Sequence, residues 1–372
     1  MDLTLIAGHF SDISWILIAL LFGLLVTFIS LPPMVGYLVA GFMLSAMGMQ
    51  SGDTLKAVAD IGVTLLLFSI GLKLNIKELL RSEIWAVSVI HLIVTVVVFG
   101  LIIFALGFSG LQYFSGLSAM DSALIAFALS FSSTVFAVKI LDEKSEMSSL
   151  HGKIAIGILI MQDLFAVIFI AIASGKVPSY AAVLLVLLIP MRPLLITLLR
   201  RAGHGELLVL CGMSLALGGA SLFDYLGVKA DLGALIMGVL LAGNEKSDEL
   251  AKSLLAFKEI FLVAFFLSIG FNGAPSLSAV AVALVLVVLM VAKSLLFYRL
   301  LTFFKLRART SFLTSLSLSN YSEFGLIVGT VGVAGGLMDA EWLVIIAIAL
   351  SLTFIIASFI NNASHIYYAR YE

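Results

Sequence analysis

Charged side chains are scarce in this sequence: Asp, Glu, Lys and Arg make up 12% of its 372 residues, against roughly 25% in a soluble domain. Water therefore cannot be the main solvent, and a composition that is 62% hydrophobic needs lipid around it. Cysteine is nearly missing. Cys211 stands alone inside an apolar block, which excludes an intramolecular disulfide and gives no basis for a thiolate metal site. Neither sign of charge is in excess, the formal net charge being −1, so no nucleic-acid partner is implied. Also missing are HExxH, GxSxG, a P-loop and a dinucleotide fingerprint, so no soluble-enzyme chemistry is signalled and no enzymatic activity is expected. No basic leader and no A-x-A cleavage pattern precedes the first apolar stretch near Ser14, which is read as a retained helix and not as a signal peptide.

What the chain has in abundance is apolar blocks of spanning length. A bilayer core takes about 20 apolar residues per helix, and such blocks recur from Ser14 to Tyr368 with polar breaks too short for a sizeable soluble domain. Thirteen spans are predicted, at about 13–30, 34–49, 55–73, 84–107, 118–141, 152–174, 178–198, 205–223, 228–243, 256–272, 276–301, 311–335 and 341–363. With the N-terminus outside, all 21 Lys and Arg except Lys56, Lys176, Lys229 and the mid-span Lys293 fall in cytoplasmic loops or span ends. That asymmetry is what cytoplasmic loops require, and one span missed or invented would reverse every later loop. The expected fold is an all-α integral membrane protein of about 13 transmembrane helices, N-out and C-in.

Ionisable groups at bilayer depth cost about 2.5–3.5 kcal/mol each on insertion scales and by default mark an ion or proton pathway. Asp163, in ILIMQDLFAVIFI, and Lys293, in VVLMVAKSLLFYR, both sit in mid-span with apolar sequence on either side. The plain alternative is a structural ion pair locking two helices, or a Lys293 that snorkels to the inner interface. A second anomaly is polar sequence inside two spans. The fifth reads ALSFSSTVFAV, with Ser130, Ser132, Ser133 and Thr134; the twelfth reads SLSLSNYSEFGLIVG, with Ser315, Ser317, Ser319, Asn320, Ser322 and Glu323. Both carry an L-S-x-S core, and they lie an odd number of spans apart, so they enter the membrane from opposite sides. Inverted repeats with broken helices, whose freed carbonyls and half-helix ends coordinate ions, are a transporter architecture. Small residues that merely let helices pack closely are the alternative. Thr330-Val331-Gly332 matches the start of a potassium filter, but Val333-Ala334-Gly335 departs from it and four such loops are needed around a pore; helix packing is the reading adopted. Asp60 and Asp231 are placed near the outer face, and His91 is read as a packing histidine.

Eight strings in order resemble one family. They are LPPMVGYLVAGFML (Leu31 to Leu44), ADIGVTLLLFSIGLKL (Ala59 to Leu74), LSFSST, MQDLFAV (Met161 to Val167), LGALIMGVLLA (Leu232 to Ala242), FKEIFLVAFFLSIG (Phe257 to Gly270), the Lys293 helix and SEFGLIVG (Ser322 to Gly329). Over nearly the whole chain the sequence is similar to the monovalent cation/proton antiporters, in the branch that contains the bacterial Kef potassium-efflux proteins. The resemblance implies an inverted-repeat fold with two broken crossing helices and a multi-pass protein of the cell inner membrane, surrounded by lipid and paired as a homodimer. It also implies a core bundle at about 84–174 and 276–363 moving against scaffold and dimer helices at about 13–73 and 178–272. Asp163 then stands as the transported-ion carboxylate, holding a monovalent cation or a proton. Gln162 fits the Kef-like Gln-Asp pair in place of the Asp-Asp or Asn-Asp of sodium exchangers, and Lys293 fits the core lysine opposite the carboxylate. No cofactor is implied beyond the transported K+ (or Na+) and H+. Kef-like proteins usually continue into a cytosolic nucleotide-binding regulatory domain, whereas this sequence stops at Tyr371-Glu372, so that domain is expected as a partner outside the chain. Their glutathione-gated members have a His-containing acidic stretch where this sequence has SDELAKSLLA (Ser247 to Ala256), so the resemblance does not extend to thiol-adduct gating.

The expected mechanism is competition at one carboxylate. Asp163 binds either a proton or a partly dehydrated cation, helped by oxygens of Ser130, Ser132, Ser133 and Thr134 and the Gln162 amide, with the second broken helix supplying Ser319, Asn320, Ser322 and Glu323. Potassium is the expected cation. The alternatives are sodium exchange and a ligand-gated, channel-like potassium efflux pathway through the same residues. An intramembrane enzyme calls for paired catalytic carboxylates or a metal cluster within the spans, and a purely structural protein has no reason to keep Asp163, Lys293 and two polar interruptions together.

Overall fold

The computed structural model describes residues 3–28, 31–49, 51–74, 79–173, 179–271, 273 and 275–368. Of the cations that orient the chain, Lys77, Lys176 and Arg370 lie outside these residues, as does the Tyr371-Glu372 end. All regular structure among the described residues is helical. In chain order, α1 is Leu3–Phe28, α2 Pro33–Ala46, α3 Asp53–Lys73, α4 Ser82–Leu106, α5 Ala119–Ser130, α6 Thr134–Glu143, α7 Leu150–Ala173 and α8 Arg192–Arg201. There follow α9 Glu206–Tyr225, α10 Ala230–Leu241, α11 Glu245–Gly270, α12 Leu277–Phe303, α13 Ala308–Ser317, α14 Glu323–Ala334 and α15 Glu341–Tyr368.

Helix starts follow local chemistry. Pro33 opens α2, where its missing N–H is harmless. Ser118 and Asp121 close a capping box on α5, Ser276 caps α12 and Ser322 caps α14. Among the described residues six helices are long and apolar enough to cross a membrane, and a bent pair, counted as one span, brings the number to seven. That pair falls on one of the predicted spans. The predicted span 178–198 is a 3₁₀ helix, Tyr180–Leu188, followed by α8 at an angle of 56°. Pro190 falls in the intervening turn and Pro193 at the second position of α8; each lacks an N–H and crowds the preceding turn, so a straight helix cannot pass through both. The predicted spans 118–141 and 311–335 are each two helices, α5 and α6 parted at 131–133, α13 and α14 parted at 318–322. Leucines and valines left outward on α1, α4 and α12 form the kind of apolar surface that suits lipid and not water.

Two compact units divide the chain, one made of 1–50, 77–164 and 269–372, the other of 51–76 and 165–268. In the first, α1 packs on α2, α4 on α5, and α12 touches α4, α13 and α15. Its core includes Val87, Ile154, Ile158, Phe297, Leu301 and Leu318. His91 sits there fully buried, its ring stacked on Phe297 at 3.5 Å and 7°, in the packing role expected of it. In the second unit α3 and α10 cross at two glycines. A Cβ on Gly71 would lie 2.3 Å from the Leu235 carbonyl and one on Gly238 2.3 Å from that of Phe68, so the two backbones approach as only small residues permit.

Candidate functional site

The site lies within the first unit, where the two interrupted helices meet. α5 packs against α14 and α6 against α13: the half before one interruption touches the half after the other, as two antiparallel broken helices do when they cross at their breaks. At Gly325 a Cβ would come within 2.5 Å of the Ala128 carbonyl, so the crossing of α5 and α14 is a backbone contact that glycine alone permits.

Breaking a helix frees backbone groups, and each one left unsatisfied in a dry interior costs about 1–3 kcal/mol. Side chains remote in sequence take them up. Gln162 accepts from the Ser132 N–H through Oε1 at 2.9 Å and donates through Nε2 to the Ser130 carbonyl at 3.1 Å, so its amide bridges the peptide groups on either side of Phe131. Asn320 Oδ1 accepts from the Ser133 N–H at 3.1 Å. Ser132 donates its hydroxyl to the Leu318 carbonyl at 2.8 Å, tying one interruption to the other. Thr353 Oγ1 accepts from the Tyr321 N–H at 3.1 Å. Ser130 and Ser319 are buried but turn back on their own helices, donating to Phe127 and Leu316 carbonyls. They shape the breaks and do not line an open face.

Charge is matched to helix ends. α5 and α13 finish at the interruptions, and helix C-termini carry partial negative charge. Lys293, fully buried on α12, donates to the carbonyls of Phe131 and Asn320, just beyond those two C-termini. Its ammonium also lies 5.2 Å from the centre of the Tyr321 ring, within cation–π range. The helices that restart there, α6 and α14, present N-termini with the opposite sign. Thr134, the first residue of α6, reaches Asp163 Oδ2 at 3.4 Å, long for an O–H···O bond, and so marks where the carboxylate lies. Glu323 is the first residue of α14; Ser322 lies 3.4 Å from its Oε2 and also accepts from the Phe324 N–H. Asp163 and Glu323 are 3% and 2% exposed.

The two interruptions with α6, α7 and α12 thus bring Ser132, Ser133, Thr134, Gln162, Asp163, Lys293 and Asn320 together in one unit, while the hydroxyls of Ser319 and Ser322 bond within their own segment. Sequence reasoning missed Tyr321, whose hydroxyl donates to the Leu286 carbonyl at 2.5 Å, and Thr353. Tyr321 was within reach, an aromatic set between Asn320 and Ser322 in a polar interruption; Thr353 carries no local signal.

Interrupted helices with buried charge at their ends belong to the architecture of secondary transporters in membranes. The sequence profile described as sodium/hydrogen exchanger, transmembrane, matches residues 16–362, and the chain belongs to that family. It is 29% identical over 357 residues to the putative cation/proton antiporter YbaL of Escherichia coli (strain K12), covering 87% of this chain and 62% of that protein. It is 27% identical over 353 residues to the glutathione-regulated potassium-efflux system protein KefC of Klebsiella pneumoniae (strain 342), covering 87% and 55%. The chain therefore spans little more than half the length of these relatives. Its fold is similar to that of the sodium proton antiporter MjNhaP1 from Methanocaldococcus jannaschii at pH 8, with a TM-score of 0.64 at 15% identity over 96% of this chain and 97% of that one.

Proposed function

We propose that this chain exchanges a monovalent cation, potassium first, for protons by alternating access at Asp163. The observation that carries the reading is the placement of Asp163: a buried carboxylate at the N-terminus of α6, at the crossing of two interrupted helices whose opposite ends are held by Lys293. One carboxylate in such a place holds a proton or a cation but not both, and exchange follows from that exclusion. The Thr134 hydroxyl, 3.4 Å from Asp163 Oδ2, and the second lone pair of Gln162 Oε1 are the neutral oxygens that would help hold a dehydrated ion. Potassium is favoured by the likeness to KefC, whose name gives potassium efflux, and by the Gln162 amide standing where a second carboxylate would favour a smaller ion. Sodium exchange and a ligand-gated channel-like efflux path are the rivals. The proposed activity is transport, with no chemical conversion.

The same reading makes the two interrupted segments inverted repeats in a membrane protein of thirteen spans, N-out and C-in, at the inner membrane. A core of about 84–174 and 276–363 moves against a scaffold of about 13–73 and 178–272 that pairs two copies, and a cytosolic nucleotide-binding domain acts as regulator. Support for the orientation comes from the cation asymmetry. A reporter fused after Glu372 is expected to read as cytoplasmic and a tag before Met1 to be accessible from outside; both termini on one side would rule out an odd span count.

Liposomes holding the protein and a trapped pH dye test the activity. Adding potassium, sodium, rubidium or lithium outside is expected to drive proton movement, with the lowest half-saturation concentration for potassium. Silence with every cation, in protein shown to be folded, removes the antiport reading. A clearly lower half-saturation for sodium or lithium removes potassium alone.

A further inference from the structure

Of the polar side chains on the two interruptions, Asn320 alone leaves a buried atom without a hydrogen-bond partner among the described residues: its amide nitrogen, Nδ2. The residue is fully buried, so bulk water does not make up the deficit, and an interior N–H without an acceptor is rare in folded proteins. Turning the amide over does not help. A backbone N–H can only donate, so the atom facing Ser133 N at 3.1 Å has to be the oxygen, Oδ1, and the nitrogen is left on the other side. The carbonyls freed by the two breaks do not answer it either. That of Ser130 takes its donor from Gln162, those of Phe131 and Asn320 from Lys293, and that of Leu318 from Ser132; none of them bonds Nδ2.

An acceptor from outside the chain is called for, and the surroundings select its chemistry. Ser133, which bonds Oδ1, is followed by Thr134, whose hydroxyl lies 3.4 Å from Asp163 Oδ2. The Asn320 amide and the Asp163 carboxylate therefore meet the same end of α6. A bare cation is kept off the amide nitrogen, because the hydrogens there carry positive partial charge. An anion is disfavoured by two buried carboxylates, Asp163 beside the start of α6 and Glu323 at the start of α14. Water meets both conditions. One lone pair of its oxygen accepts from Nδ2 and the other faces a cation, while its hydrogens serve carboxylate or carbonyl oxygens, which gives the three or so bonds usual for a buried water.

We propose that Asn320 is a specificity-determining residue that holds one water molecule through Nδ2, and that the cation at Asp163 keeps this water as a ligand; the inference rests on the transport reading and narrows it. The second interruption then acts on the ion through a donor and a water, the Asn320 side-chain oxygen being committed to Ser133. A wild-type crystal structure in rubidium, a potassium-like ion located by its anomalous scattering, is expected to show the ion at Asp163 with a water between it and Asn320 Nδ2. Rubidium at Asp163 in direct contact with the Asn320 side chain, or with no water on Nδ2, overturns this inference and leaves the transport reading standing. Rubidium bound elsewhere, with none at Asp163, removes the transport reading and this one with it. Asn320→Asp in liposomes is the second measurement. It keeps an acceptor for the Ser133 N–H and a similar size, but puts a carboxylate oxygen where the donor was, so the ion's water gives way to a charged ligand of higher field strength, which suits a smaller ion. The half-saturation concentration for sodium is expected to fall several-fold relative to that for potassium. A folded variant with the wild-type ratio overturns the specificity role, because a residue that only caps Ser133 leaves the ratio unchanged. If the variant does not fold, the rubidium structure decides alone.

Discussion

Asp163→Asn is expected to reduce cation-driven proton flux to the level of protein-free liposomes while the purified protein stays folded. The substitution keeps the size of the side chain and an acceptor oxygen for Thr134, whose hydroxyl lies 3.4 Å from Asp163 Oδ2. It removes the negative charge that attracts the cation and the group that takes up the proton. Because the carboxylate is nearly fully buried, water cannot substitute for either role. An isosteric change of this kind typically alters stability by about 1 kcal/mol or less when no new clash arises, so a thermal melt close to that of the wild type is the second half of the expected result. A folded Asp163→Asn variant that still exchanges potassium for protons would contradict the proposed site. The neighbouring Gln162 gives a different profile. Its amide bridges Ser130 and Ser132, so its loss is expected to loosen the interruption and lower stability as well as to take an oxygen from the ion.

The sequence announced these residues unequally, and the reason is physical. Asp163 and Lys293 stand out because ionised groups are costly in lipid, so any charge amid apolar sequence is conspicuous whatever surrounds it. The two interruptions were visible for a related reason: serine, asparagine and threonine supply the hydrogen bonds that broken backbone needs, and their crowding at 130–134 and 315–323 breaks an otherwise apolar run. What those side chains bond to was not visible. Lys293 reaches Phe131, 162 positions earlier, and Ser132 reaches Leu318, 186 positions later; their acceptors are backbone carbonyls, which every residue has, so no residue type betrays them. Thr353 was hidden in the same way, its partner being the backbone N–H of Tyr321, whereas Tyr321 itself stood in view within the polar interruption. The bend between the 3₁₀ helix and α8 was legible in Pro190 and Pro193, but hydropathy ran unbroken across them and the length of the apolar run outweighed the local signal.

Lys293 separates a structural charge from a transport charge, and the expected result is a loss of stability larger than that of Asp163→Asn. Lys293→Ala removes the donors to the Phe131 and Asn320 carbonyls and the contact with the Tyr321 ring. Two buried acceptors then lack partners at about 1–3 kcal/mol each, and truncation of the long side chain leaves a cavity besides. Lys293→Met keeps most of the stem and is expected to fall between Ala and wild type in melting temperature, with exchange weakened but measurable, because the lysine organises the ends of α5 and α13 and is not itself the carrier. The double variant Asp163→Asn with Lys293→Ala tells the two readings apart. If the two residues existed to neutralise each other, either single change would strand a buried charge and the double change would relieve it, restoring both folding and exchange. With Lys293 serving backbone carbonyls and Asp163 serving the ion, the double variant is expected to melt no higher than Lys293→Ala alone and to carry no flux. Recovery of transport in that variant would end the case for Asp163, and recovery of stability without transport would return Lys293 to the role of a structural ion-pair partner.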